Sequence, residues 1–214
     1  MKSPLSALII IIVVSNFYLL SSSRLRALIR MAAVQGLFLG LLPFFTQARD
    51  FSGHTVIIGA GGVILKGFVI PLLLFRALRG VEEYRERKPH VSYTLSIIAG
   101  MAITTVAFWI GTQIPHSSVF PHPSVMALAI SMAATGLFLI VARTEALTQI
   151  IGYLVLENAI YGFGVSLPSA QSLIVEMGVL LDLLVGIFIM GVVIAHINRE
   201  FDSINTDVLE ELKE

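Results

Sequence analysis

Residues 149–164, QIIGYLVLENAIYGFG, read as a membrane-crossing helix with an acid, Glu157, at its middle. Residues 172–191, SLIVEMGVLLDLLVGIFIMG, carry Glu176 and Asp182 in the same kind of setting, and residues 54–75, HTVIIGAGGVILKGFVIPLLLF, carry Lys66. A helix needs about 20 mostly apolar residues to cross hydrocarbon. An ionisable group held at that depth costs roughly 2.5–3.5 kcal/mol on insertion scales. Four such groups in one chain therefore read first as a path for protons or other ions.

Outward from these stretches the same pattern continues. The 214 residues are 56% hydrophobic and only 13% charged, with mean hydropathy +0.89, whereas a soluble domain carries about 25% charged residues. The fold class is an all-α integral membrane protein. Seven spans are predicted: 4–21, 26–46, 55–77, 92–114, 123–143, 146–167 and 170–197. The first is diluted by Ser15 and Asn16. The sixth and seventh are joined by the tight VSLPSA turn (165–170), which predicts antiparallel neighbours. With Lys66 set aside, eleven basic residues fall on one side of these spans and two, Lys2 and Arg49, on the other. The positive-inside rule then puts the N-terminus outside and the C-terminus in the cytoplasm. The extreme N-terminus resembles a signal peptide in outline, but its basic flank suits a cytoplasmic loop better than a cleavage site.

The chain divides into three spans and a charged cytoplasmic loop (1–91), a fourth span with an outer loop (92–122), a three-helix unit (123–197) and an acidic tail (198–214). The loop at 78–91 reads either as a solvated connection or as a docking surface for a peripheral subunit. Zero net charge gives no argument for nucleic acid, and the lipid bilayer is the expected surrounding. Cysteine is absent, which excludes disulfides, thiolate-held iron–sulfur clusters and cysteine-ligated metal from this chain. The histidines, His54, His90, His116, His122 and His196, sit near span ends or loops and none pairs with an acid at ligand spacing. No metal site and no catalytic set is predicted. Gly59, Gly61 and Gly62 follow no strand, so they suit close helix packing rather than a phosphate loop. Gly36 and Gly40 form a GxxxG pattern, a candidate packing face.

Depth brings the buried charges to one level. Lys66 and Glu157 are each 11 residues from an end of their spans and Asp182 is 12; at 1.5 Å per residue each lies roughly 17 Å in, near the midplane. Glu176 is shallower, about 9 Å from the outer end. A cation and carboxylates at one height can pair across helices or pass a proton through water. Glu176 and Asp182 point about 120° apart on their helix, so they face different neighbours. Pro71 lacks an N–H and clashes with the carbonyl of Gly67, beside Lys66. It reads either as an ordinary bend or as the broken helix that recurs at midplane ion sites. For Glu157, Asp182, Lys66 and Glu176 the plain alternative is a helix-to-helix hydrogen bond; such bonds average only about 0.6 kcal/mol, poor compensation for burying a charge. Arg30 reads as a snorkelling side chain, and Arg143 and Glu145 as structural residues at an inner turn.

Spans five to seven and the tail carry GLFLIVAR (136–143), IGYLVLENA (151–159), LLDLLVGIFIMGVVIAH (180–196) and INTDVLEELK (204–213). This three-helix unit resembles the K-type membrane subunit of complex I and the C-type subunit of Mrp cation antiporters. In those families a buried glutamate occupies the place of Leu154; here Glu157 stands one turn later, on the same face. Asp182 takes the place of the second family glutamate. With KGFVIPLLLFRALR (66–79) added, the whole chain resembles the hydrogenase-4 membrane component E family. That resemblance implies a non-catalytic subunit of a group 4 nickel–iron hydrogenase or formate hydrogenlyase complex in a prokaryotic cytoplasmic membrane. It implies antiporter-like and quinone-site-like membrane partners and a peripheral hydrogenase arm. It places the nickel–iron site and iron–sulfur clusters on those partners, none here. Proton transfer, or Na⁺ transfer, would use Lys66, Glu157, Asp182 and Glu176, with the helix broken at Pro71.

Overall fold

The computed structural model describes residues 4–46, 60, 63–77, 89–117 and 121–167, and the single positions 178, 186 and 191. Every regular element among them is helical. Helix α1 is Pro4–Ser21 and α2 is Leu25–Thr46. A π-helical turn, Leu65–Val69, leads directly into a short helix α3, Ile70–Ala77. Helices α4 (Tyr93–Gln113), α5 (Pro123–Ala142) and α6 (Ala146–Ser166) follow. By length and composition α1, α2, α4 and α5 can each cross a membrane, and the chain is a membrane protein on that ground. Glu176 and Asp182, with the acidic tail, lie outside the described residues.

The helices begin where local chemistry permits. Pro4 and Pro123 occupy first-turn positions, where a missing N–H costs nothing. Ser92 caps α4 by accepting the Leu95 N–H at 3.3 Å. Runs such as IIIIVV in α1 are poor helix formers in water. In hydrocarbon the backbone has no other partner than itself, and the helix is the outcome.

The packing places polar groups inside and large apolar ones outside. Val141 (75% exposed) and Trp109 (63%) face outward, while Ser15, Gln35, Ser131 and Asn158 are buried. Small residues permit the close crossings. The buried positions of α4 are Ser96, Gly100, Ala107 and Gly111, one stripe along the helix. A Cβ on Gly136 would stand 2.6 Å from the backbone nitrogen of Leu156, and one on Gly152 would stand 2.9 Å from that of Ile140. The α5–α6 pair, the most extensive among the described helices, therefore meets backbone to backbone.

Helix α6 is as long as its neighbours, yet Gln149, Glu157 and Asn158 keep it out of the set apolar enough to cross by composition. Burial explains how it tolerates them. It packs on α5 and α2, and most of its length is enclosed. Two polar contacts fix the relative directions. Arg143 Nη2 donates to the carbonyl of Leu20, so α1 and α5 end on one side. The His122 ring lies 3.1 Å from the carbonyl of Thr46, so α2 ends where α5 starts.

Candidate functional site

Lys66 Nζ donates to Glu157 Oε1 at 2.5 Å, and the two residues are 8% and 1% exposed. Glu157 sits near the middle of α6, enclosed on every side. Lys66 reaches it from the π-helical turn. The sequence put these two groups at one depth; the structure joins them across 91 residues of chain. Pro71 stands two residues beyond the π-helical turn, where the backbone gains an extra residue in place of the regular ladder. Such turns occur where an i→i−4 bond is disturbed, and proline disturbs it four residues back, at Gly67.

Glycine lets the turn approach. A Cβ on Gly36 of α2 would lie 2.8 Å from Lys66 Cβ and 3.0 Å from its carbonyl oxygen. Gly40 meets Val63 in the same way, with 2.9 Å to its backbone nitrogen. The GxxxG pair is thus the surface against which the lysine segment rests.

Around the ion pair lies a polar cluster drawn from three helices. Gln35 Nε2 donates to Ser15 Oγ (3.0 Å) and to Asn16 Oδ1 (2.7 Å). Asn158 Nδ2 donates to Gln35 Oε1 at 3.2 Å. Asn158 adjoins Glu157 in sequence, so the cluster runs from α1 through α2 to the ion pair. The Lys66 ammonium also lies 5.7 Å from the centre of the Tyr161 ring, one turn beyond Glu157. A cavity of about 10 Å³, bordered by Lys66, Pro71, Leu154 and Asn158, has room for about one water molecule. Leu154 and Asn158 are one turn apart on α6 and border this cavity together.

Comparison with known proteins places the chain. Uncharacterized protein Rv0085 of Mycobacterium tuberculosis (strain ATCC 25618 / H37Rv) is 32% identical over 194 residues, covering 89% of this chain and 87% of the relative. The chain belongs to the Rv0085 family. No family-wide sequence profile and no solved structure matches it.

Gln35 is the residue of this cluster that the sequence does not single out. Its signal was slight: one uncharged polar residue at the middle of an apolar span, next to Gly36. Ser15 and Asn16 read in the sequence only as dilution of the first span. Replacing Gln35 by leucine deletes three hydrogen bonds and strips the Asn158 amide of its acceptor. At about 0.6 kcal/mol for each interhelical bond, plus a buried donor left bare, Gln35→Leu should cost ~2–4 kcal/mol. Thermal unfolding in detergent reads this as a clear fall in Tm; an unchanged midpoint would mean the cluster adds nothing to stability.

Proposed function

We propose that this protein is a non-catalytic membrane subunit of a complex-I-like group 4 nickel–iron hydrogenase or formate hydrogenlyase assembly, and that it relays protons, or Na⁺, through the Lys66–Glu157 pair. The observation that carries the reading is the pair itself: two opposite charges enclosed at the middle of a bundle whose outer surface is apolar. Burying an ion pair contributes little net stability, because desolvation offsets the attraction. A group that exchanges protons gives such a pair a use that packing does not. The Lys66 ammonium also lies 5.7 Å from the Tyr161 ring, a contact that would still attract it if the pair opened. A water-sized cavity is bordered by Lys66. In this reading Asp182 and Glu176 continue the path toward the outer surface, in a prokaryotic cytoplasmic membrane. Redox energy from partner subunits, which would hold the nickel–iron site and iron–sulfur clusters, would shift protonation along the row.

Glu157→Gln and Asp182→Asn keep shape while removing the exchangeable charge. Each is expected to abolish or uncouple ion movement in membrane vesicles while assembly of the complex survives. Normal pumping by the double substitution would sink the relay. A subunit of an Mrp-type cation antiporter is the rival that uses the same chemistry. It predicts a purified native complex without nickel or iron, where the hydrogenase reading predicts both. A pure scaffold predicts lowered stability with transport intact.

A further inference from the structure

A second polar feature lies at the border where α1 ends and α2 begins. A cavity of about 470 Å³ opens between the two helices, lined by Tyr18, Arg24, Arg26, Arg30, Met31 and Val34. Its size falls within the roughly 300–1,000 Å³ that ligand sites span. Three of its walls are arginines, and no acidic side chain appears among its described lining residues. Arg24 to Arg30 covers about 9 Å along the helix, from the aqueous border into the first turns of the span. Beyond the arginines the lining becomes apolar. Met31 and Val34 follow Arg30 in the lining, and next to the cavity on α1 Val14, 60% exposed, precedes Tyr18 by one turn.

From this geometry we infer that the α1–α2 cleft binds one anionic phospholipid, its phosphate held by Arg24, Arg26 and Arg30 and an acyl chain lying along Tyr18, Val14 and Val34. Guanidinium groups match phosphate oxygens in a planar, two-pronged way that a lysine does not. Snorkelling alone would send each arginine to water separately. Here the three border one concavity, together with the tyrosine ring and the apolar wall that a lipid tail requires. A free phosphate would satisfy the arginines and leave that wall bare, so the occupant is a lipid.

The full-length chain, purified in mild detergent, is offered equal amounts of palmitoyl-oleoyl phosphatidylglycerol and the matched phosphatidylcholine, and retained lipid is counted by native mass spectrometry. One phosphatidylglycerol should be kept in at least about ten-fold preference, given three basic groups at the membrane surface. R24Q/R26Q/R30Q should abolish the preference, and R24K/R26K/R30K should retain part of it. A photoreactive phosphatidylglycerol provides a reading that needs no variant: label should concentrate on peptides containing Tyr18 and residues 24–34. Equal retention of the two lipids, label spread around the bundle, or the same thermal stabilisation by inorganic phosphate as by phosphatidylglycerol would each overturn the assignment.

Discussion

Replacing Glu157 by leucine, or Lys66 by methionine, is expected to cost ~3–5 kcal/mol, while K66M/E157L recovers most of that loss. Each single change leaves its former partner enclosed without its counter-ion. Lys66 would lose its carboxylate acceptor, and Glu157 would lose its 2.5 Å donor. Rearrangement gives little relief, because Gly36 leaves no slack around the lysine backbone and α6 is enclosed along most of its length. The double variant restores neutrality with side chains of similar volume, and such replacements of buried ion pairs are often neutral or stabilising. The measurement is a double-substitution cycle on unfolding in detergent. A double variant as unstable as the sum of the singles would mean that the two charges do not answer each other. The same three proteins separate relay from scaffold. If the pair moves ions, K66M/E157L is well folded, assembles and is silent in transport. A stable double variant with full transport would leave the relay without its central residues.

Much of this arrangement was legible in the sequence because hydrocarbon imposes so few choices. Backbone groups must pair within helices, so apolar length alone places α1, α2, α4 and α5 to within a residue or so. Height in the membrane follows from residue count, and it set Lys66 level with Glu157. What the sequence withholds is the rotation of each helix. Helices such as α1 and α4 are apolar on all faces, and no stripe announces which side meets a neighbour. The inward face of α4 is marked only by small residues, Ser96, Gly100, Ala107 and Gly111. Gln35 stayed hidden for that reason: its partners Ser15, Asn16 and Asn158 come from two other helices, up to 123 residues away. Pro71 announces a disturbed helix, but neither the π-helical form that helix takes nor its close approach to Gly36 of α2 follows from the residue order. Glu176 and Asp182 fall outside the described residues.

Arg143 carries the other large expected effect. The sequence reads it as a turn residue at the end of α5, and a turn residue is ordinarily wet. In the folded chain it is 0% exposed. Its Nη2 donates to the carbonyl of Leu20 at 2.6 Å, in the last turn of α1, where helix carbonyls lack internal partners and the helix dipole favours a cation. Its guanidinium also lies 4.4 Å from the ring of Tyr93, the first residue of α4. Next to it the Ala142 carbonyl accepts the His90 N–H at 3.0 Å, and the Arg143 carbonyl itself accepts Gln149 Nε2 at 2.9 Å. One residue therefore ties the end of α1, the start of α4 and the α5–α6 turn. A hydrogen bond to a charged donor contributes about 1.5–3 kcal/mol and a desolvated cation–π contact about 2. Arg143→Met keeps the apolar stem and removes both, so a loss of ~3–5 kcal/mol is expected. Arg143→Lys should recover only part, because a point ammonium cannot hold the carbonyl and stack on the ring at once. Unfolding in detergent tests the order wild type, lysine, methionine. Hydrogen exchange should report the damage first at the end of α1 and at 89–93, the segments the guanidinium holds, while the Lys66–Glu157 region keeps its protection. Equal stability of the lysine and methionine variants would mean that the arginine acts as packing and that its charge has no structural use.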